Sequence, residues 1–303
     1  MKINVAIVGY GNLGKAVEKE LLAKNNINLV CIFSRRDNIT SLAGTPILAY
    51  SSIDEFAGKI DLLILCSGSQ NQMLVDAPTF AQKFNIINTF DTHALVGQEF
   101  EKLNRIANKT NHIAIMSCGW DPGLMSVMRA CFYSITGTMP TTYWGPGTSL
   151  GHSDAVRKIT GVKDAISITI PIRQTKKCNF LHKRVVYVVC DKQNQKQIKT
   201  QIVSMPNYFA GQPVKVKFVS QEHLNKIKSF EHAGRVVCDG DFLLEFCCQM
   251  KSNPEFTAKI VANYVCVFDY IKTKYKCGAY TPLDFSPVDL IDMDRLSIVK
   301  KFC

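Results

Sequence analysis

The run that most constrains this chain lies close to its start: Gly9-Tyr10-Gly11-Asn12-Leu13-Gly14. It follows the apolar stretch Ile3 to Val8 and opens a segment, Leu13 to Lys24, in which Leu13, Val17, Leu21 and Leu22 recur on one helical face. Three glycines at this spacing, between a strand and a helix, permit a tight turn and let helix and strand pack closely. They also let the backbone approach an anion that the helix N-terminus faces. The pattern then repeats. Ile27 to Phe33, Ile47 to Tyr50, Asp61 to Leu65, Ile86 to Thr89 and Ile113 to Ser117 read as strands, while Thr79 to Phe84 ends a helix and Glu99 to Ala107 forms another. Strands recurring between helices imply crossovers, and so a largely parallel sheet covered on both faces. A continuous apolar strand such as Leu62-Leu63-Ile64-Leu65 fits burial on both sides. The expected fold class is α/β, a doubly wound parallel sheet of the Rossmann type.

Beyond Gly119 the texture changes. A helix is expected over Met125 to Tyr133, then a Gly/Pro/Ser-rich stretch from Trp144 to Ser153. Strands with β-branched alternation follow at Ile166 to Ile172, Arg184 to Val189, Val214 to Phe218 and Val236-Val237, with Phe242 to Met250 as a further candidate. One helix, about Gln193 to Val203, interrupts them, and a final helix is expected from about Glu255 to Lys272. This is the pattern of a mixed, mostly antiparallel sheet backed by a few helices, an α+β unit.

Composition excludes several function classes. The formal charge of +11 is spread over scattered lysines, with modest clusters at Lys176-Lys177, Lys196 to Lys199 and Lys226 to Lys228. No arginine-rich helix or aromatic RNA-binding signature accompanies them, so nucleic acid is not the expected partner. No stretch approaches the roughly 20 apolar residues of a membrane span, and Met1 to Gly9 reads as a buried strand rather than a secretory leader. Cytoplasmic residence is expected. The 12 cysteines include no C-x-x-C pair, and Cys31, Cys66, Cys190 and Cys266 sit in apolar runs. They are expected to be small buried hydrophobes, with no disulfide framework and no metal site.

The glycine motif points to a dinucleotide whose pyrophosphate lies over Gly9, Tyr10, Gly11, Asn12, Leu13 and Gly14. An NAD enzyme would carry a carboxylate about 20 residues on, for the ribose hydroxyls. This chain has Ser34-Arg35-Arg36 there, a serine and two guanidiniums suited to a 2′-phosphate. NADP is therefore the expected cofactor. Cys66-Ser67-Gly68-Ser69, after the fourth strand, falls where such a sheet has its crevice. Two carboxylates, Asp91 and Asp121, follow the carboxyl ends of strands, where ligands bind, and Trp120 stands beside the second. Carboxylates there suit a substrate ammonium. As the bland alternative, Asp91 caps a helix and Asp121-Pro122 makes a turn.

With these motifs in place the chain resembles the meso-diaminopimelate D-dehydrogenases. The resemblance is carried by Val5 to Gly14, Ile32-Phe33-Ser34-Arg35-Arg36, Gly119-Trp120-Asp121-Pro122-Gly123 and Trp144-Gly145-Pro146-Gly147. It continues through Gly151-His152-Ser153-Asp154-Ala155, Met205-Pro206-Asn207-Tyr208-Phe209 and Asn253-Pro254-Glu255-Phe256-Thr257-Ala258, in the family's order. It implies a reaction: NADP⁺ oxidises the D-centre of meso-2,6-diaminopimelate, giving L-2-amino-6-oxopimelate and ammonium, reversibly, in lysine and diaminopimelate biosynthesis. It implies that Asp91, Asp121, Trp120, Trp144 and Gly151 surround the D-centre, with Leu150 beside them, and that Thr169, Arg184, His232 and Asn253 hold the distal L-centre. Asp91 or Asp121 is the expected proton acceptor. It also implies a homodimer. The expected domains are 1–118 for the dinucleotide, completed by about 260–303, and 119–259 for substrate and dimerisation.

Three departures from the family pattern stand out: Leu150 in place of a glutamine, Asn88 in place of an aspartate, and a shorter connection from Thr169 to Arg184. They leave a preference for another D-amino acid open. A cofactor-sensing protein without catalysis would be expected to lose Asp91, Asp121 or Trp120, and all three are present.

Overall fold

The chain begins β1 (Ile3–Val8), α1 (Asn12–Leu22), β2 (Ile27–Ser34), β3 (Ile47–Ala49), β4 (Leu62–Leu65), α2 (Met73–Phe80), β5 (Ile86–Asn88), α3 (Val96–Thr110), β6 (Ile113–Ile115) and α4 (Leu124–Thr136). It continues with β7 (Thr141–Trp144), β8 (Gly147–Thr148), α5 (Leu150–Arg157), β9 (Val162–Pro171), β10 (His182–Cys190), α6 (Gln195–Ser204), β11 (Val214–Phe218), α7 (Gln221–Ile227), β12 (His232–Cys238) and β13 (Leu244–Met250). It closes with α8 (Asn253–Cys266), α9 (Phe268–Lys274), β14 (Gly278–Tyr280) and α10 (Arg295–Phe302). The structure, a computed structural model, describes residues 2–68, 71–172, 180–227 and 232–303.

Two compact units emerge, Met1–Ala130 with Asn253–Cys303, and Cys131–Ser252. The first holds a seven-stranded sheet in the order β14-β6-β5-β4-β1-β2-β3, every neighbouring pair parallel. The strand order reverses between β1 and β4, the switch point outside which ligands bind in such sheets. Alternate side chains of β1 feed two cores. Ile3, Val5 and Ile7 pack with Val17 and Leu21 of α1, Val261 and Val265 of α8, and Phe268 of α9. Ala6 and Val8 pack with Met73 and Phe80 of α2 and Leu103 of α3.

The chain leaves this unit about a dozen residues later than the expected 118/119 boundary, and re-enters earlier than 259/260. Both shifts have a packing cause. Met125, on the first turn of α4, is fully buried, and Ala258 already belongs to the α1–α8 core.

The second unit departs from the expected single mixed sheet. β11-β10-β9-β8 form one sheet, with β10 and β11 parallel and the other pairs antiparallel; β13-β12-β7 form another, antiparallel throughout. The switch occurs at Gly145-Pro146. Gly145 N–H still donates to the Ala233 carbonyl at 2.7 Å, while Gly147 already pairs with Thr169. Proline cannot continue a ladder, so it suits the point where the chain changes sheets. The four-stranded sheet packs Val186 and Val188 against Ile198 and Ile202 of α6. The helix expected over Glu255 to Lys272 is two helices, broken at Val267. There Asn26 Nδ2 donates to the Cys266 carbonyl at 2.8 Å, occupying an acceptor that would otherwise serve the ladder. Among the described residues no helix is long and apolar enough to cross a membrane.

The glycine loop separates folding from binding. A Cβ on Gly14 would lie 2.3 Å from the Gly9 carbonyl oxygen, whereas one on Gly11 meets nothing within 4 Å. Gly14→Ala is therefore expected to cost about 1–3 kcal/mol by overpacking, while Gly11→Ala melts within a degree or two of wild type. Thermal melts of the two variants check this; equal losses would refute it.

Candidate active site

At the β1–α1 junction, Gly9 has φ +93°, open to glycine at no steric cost. Gly11, the N-cap of α1, offers no side chain to the helix's first N–H groups, and no acidic residue sits in the first turn. The end of α1 is thus an anion site in electrostatic terms. Tyr10 contributes backbone alone: its ring is buried and its hydroxyl donates to the equally buried Glu18. That burial and the Glu18 bond push the Tyr10 phenol up to about 12. Asn12 and Leu13 begin the helix, Asn12 exposed and Leu13 half-buried.

At the end of β2, Ser34 Oγ accepts from Arg36 N–H at 3.0 Å, which shapes the turn that carries both arginines. Arg36 reaches back to donate to the Tyr10 carbonyl. Arg35 bonds Asp76 of α2. Ser67 is committed to the same carboxylate at 2.9 Å. The Cys66 thiol is pushed up to about 12 by burial, and Gly68 leaves open space around its Cα. Ser69 lies outside the described residues. Gly11, the uncapped helix end, Arg35 and Arg36 together fit a dinucleotide with a phosphate on its adenosine ribose.

At the far end of the same sheet, Asn88 organises two loops. Its Oδ1 accepts from Phe90 N–H at 3.0 Å and from Ser117 N–H at 3.3 Å, tying the end of β5 to the end of β6. The first loop carries exposed Asp91 and then His93; the second carries half-buried Trp120 and buried Asp121. His93 Nε2 stands 4.0 Å from Asp121 Oδ2, and Arg129 Nη2 bonds Asp121 Oδ1 at 2.6 Å. Gly123, at φ +134°, closes the Asp121 turn where a Cβ would meet the Gly119 carbonyl at 1.9 Å. Asn253 heads α8 and accepts from Thr257 Oγ1 at 3.0 Å.

In the second unit Thr169 and Arg184 face each other across β9 and β10, and the guanidinium donates to the Thr169 hydroxyl. Arg184 Nε also points at Gln212 Oε1, at 3.5 Å. Among the described residues no carboxylate lies within ion-pair distance of Arg184, and burial lowers its pKa to about 10. Trp144, at the end of β7, packs edge-on against the His182 ring, 5.6 Å between centroids. Leu150 and Gly151 open α5, Leu150 well exposed and Gly151 facing open space. His232 opens β12, its imidazole lowered to about 4 by burial. His152 is locked between Ser149 Oγ, 2.8 Å from Nδ1, and the Tyr208 carbonyl, 3.0 Å from Nε2. A carbonyl only accepts, so Nε2 carries a proton. Burial, with Arg184's charge second, lowers its pKa to about 3. No cluster of metal-ligating residues occurs among the described residues.

A family model for the diaminopimelic acid dehydrogenase C-terminal domain matches residues 119–251. The meso-diaminopimelate D-dehydrogenase of Lysinibacillus sphaericus is 34% identical over 99% of this chain and 98% of its own. The chain belongs to the meso-diaminopimelate D-dehydrogenase family. The Corynebacterium glutamicum DAP dehydrogenase in complex with DAP superposes at TM-score 0.90 with 32% identity, covering 100% of this chain and 99% of that one. An engineered D-amino acid dehydrogenase bound to NADP⁺ superposes at 0.89 with 31% identity and full coverage of both chains.

Within this family frame, several site residues are ones that sequence reasoning missed. Arg129 and His93 flank Asp121, Gln212 and His182 flank Arg184, and His152 braces the start of α5. Arg129 stands eight residues after Asp121, a signal that is visible only once α4 is known to start at Leu124. His182 lies two residues before Arg184 on β10, a local spacing that the sequence does show; His93, Gln212 and His152 meet their partners at separations no local pattern reveals. Asn88, one of the departures from the family pattern, serves the two loop ends through its carbonyl oxygen.

His152 supplies a pH test. Its folded pKa is depressed to about 3 from 6.5, so below 6.5 the unfolded state binds a proton that the native state refuses. The stability it contributes is complete above pH 6.5 and is lost as pH falls toward 3, at up to about 1.4 kcal/mol per pH unit. His152→Gln should therefore flatten the fall in Tm between neutral pH and pH 5. A slope unchanged from wild type would sink the assignment.

Proposed function

We propose that this chain is an NADP-dependent meso-diaminopimelate D-dehydrogenase. It would oxidise the D-centre to an imine, which water would hydrolyse to L-2-amino-6-oxopimelate and ammonium, a reversible reaction of lysine and diaminopimelate biosynthesis. The observation that carries the reading is Arg184, a desolvated guanidinium beside Thr169 with no carboxylate partner among the described residues. An uncompensated buried cation is costly unless an anion completes it. The distal carboxylate of a diamino dicarboxylate is such an anion, and a planar fork is the matching donor.

Gly9, Gly11 and Gly14 with the open end of α1 would hold the pyrophosphate, and Ser34, Arg35 and Arg36 the 2′-phosphate. Tyr10, Asn12 and Leu13 continue that cradle, and Cys66, Ser67, Gly68 and Ser69 would border it. NADP⁺ bound there would accept a hydride from the substrate's D-carbon. Asp91 and Asp121 would hold the α-ammonium and take up its proton, with Arg129 and His93 fixing the Asp121 carboxylate. Trp120, Trp144, Leu150 and Gly151 would shape the space around that carbon. Thr169, Arg184, His232 and Asn253 would fix the far end, so that orientation does most of the catalytic work. We extend the reading to a cytoplasmic homodimer.

Leu150 supports one variation. An exposed leucine at the head of α5 offers no polar contact to a substrate carboxylate or amine, so another D-amino acid is the second reading.

NADPH formation from meso-diaminopimelate tests the proposal, with LL-diaminopimelate and NAD⁺ as controls. Turnover of the meso isomer with NADP⁺ is expected, and Arg184→Met should lower kcat/KM for it about 100-fold. A monocarboxylic D-amino acid should be far less affected. Inactivity toward meso-diaminopimelate, with turnover of another D-amino acid, would overturn the substrate and favour the Leu150 reading.

A further inference from the structure

We infer that Asp76 and Tyr50 are positioning residues for the cofactor's 2′-phosphate. They form a clamp that fixes the Arg35 guanidinium in one plane; the inference rests on the NADP reading above. Asp76, in the first turn of α2, is fully buried and collects four side-chain donors. Arg35 Nη2 reaches its Oδ1 at 2.9 Å, Gln72 Nε2 the same oxygen at 2.7 Å, and the Tyr50 hydroxyl the same oxygen again. Ser67 Oγ donates to Oδ2 at 2.9 Å. The Tyr50 ring lies under the guanidinium, its centroid 3.6 Å from Arg35 Cζ. One carboxylate thus joins the end of β2, the loop after β4 and α2, and an aromatic face closes the fourth side.

The arrangement sacrifices electric field for orientation. A carboxylate against Arg35 cancels part of the attraction for a phosphate, whereas Arg36 rests on a neutral carbonyl. A site selected for field alone would leave both arginines unpaired. Arg35 keeps about two-fifths of its side chain exposed. Without the clamp it would sample many rotamers, and binding would have to freeze them. With the clamp, the donors not used by Asp76 are held ready for a ligand at the end of β2. NAD lacks the phosphate, so it should gain little from this.

The two ideas predict opposite signs, which makes the test direct. Kd values for NADPH and NADH are measured by fluorescence titration of wild type, Asp76→Asn and Tyr50→Leu, with KM and kcat for NADP⁺ alongside. The clamp predicts NADPH binding weakened about tenfold in both variants, the order expected for loss of an oriented charge-assisted hydrogen bond. NADH should change by less than about twofold, and KM for NADP⁺ should rise while kcat does not. Tighter NADPH binding in Asp76→Asn would show the carboxylate to be an electrostatic burden and overturn the clamp. Equal weakening of NADPH and NADH, or no change in either, would overturn it too. If Asp76→Asn does not fold, Tyr50→Leu decides, since Tyr50 is half-buried and its loss is milder. A wild-type protein that prefers NADH would overturn the cofactor reading itself; one that prefers NADPH, with unaltered variants, would overturn the clamp alone.

Discussion

The contact between Gly14 and the Gly9 carbonyl is the constraint from which the first unit grows. At 2.3 Å from a would-be Cβ there is no room for any side chain, so α1 can lie against the end of β1 closely enough to aim its N-terminus over the loop. Its other side then presents Val17 and Leu21 to the core. β1 and β2 supply only part of that cluster; α8 and α9, more than two hundred residues later, complete it, and this is why the chain returns to its first sheet after building a second unit. The final strand, β14, adds to β6 in the same parallel sense. One close approach between backbone atoms thus sets where the N-terminus of α1 lies and why the two ends of the chain belong together.

Buried charge is handled in two ways. Glu18, Asp76 and Asp289 are buried carboxylates, and each accepts from more than one donor. Glu18 takes the Tyr10 hydroxyl and Leu42 N–H; Asp76 takes four side chains; Asp289 takes Lys274, Tyr275 and Tyr270. A satisfied buried carboxylate is stable and specifies local geometry. Arg184 has a hydroxyl and a distant amide as its neutral partners, and no opposite charge among the described residues. Asp76 and Asp289 each count a cation among their donors, and Glu18 has neutral donors alone, whereas Arg184 has no carboxylate within ion-pair distance among the described residues. That arrangement, more than the presence of an arginine on a strand, is what supports the proposed role of this position.

The legibility of the sequence followed the physics of each part. β1 and β4 are buried on both faces, so their continuous apolar runs announced the parallel sheet. The glycine spacing announced the turn, because its backbone demands are local. In the second unit the strands were visible, but their division into two sheets was not. It depends on a two-residue change of direction at Gly145-Pro146 that leaves no periodic trace. α5, α7 and α10 are seven or eight residues long, too short for a clear helical period. Asp91, Asp121, Arg35 and Arg36 could be read because each follows a strand end. Asp76 could not, since its link to Arg35 spans 41 positions and exists only through the sheet. Gln212 and His152 escaped for the same reason. Each finds its partner by way of tertiary folding.

The histidines around Arg184 show how its neighbours are kept from adding charge to it. His152 and His182 both feel its charge, and both are pushed down, His152 to about 3 and His182 to about 4, burial being the larger cause in each. Protonating either would place a second positive charge beside a desolvated guanidinium, which the low local dielectric makes expensive. The imidazoles therefore act as neutral hydrogen-bonding groups through the physiological range. His152 spends its one N–H on the Tyr208 carbonyl. Among the described residues these rings add no charge to that of Arg184, and with the Thr169 hydroxyl and the Gln212 amide they set the shape around it. A lysine there would not give the same result. Its point charge loses its proton more readily on burial, and it lacks the planar fork that recognises a carboxylate by direction as well as by sign.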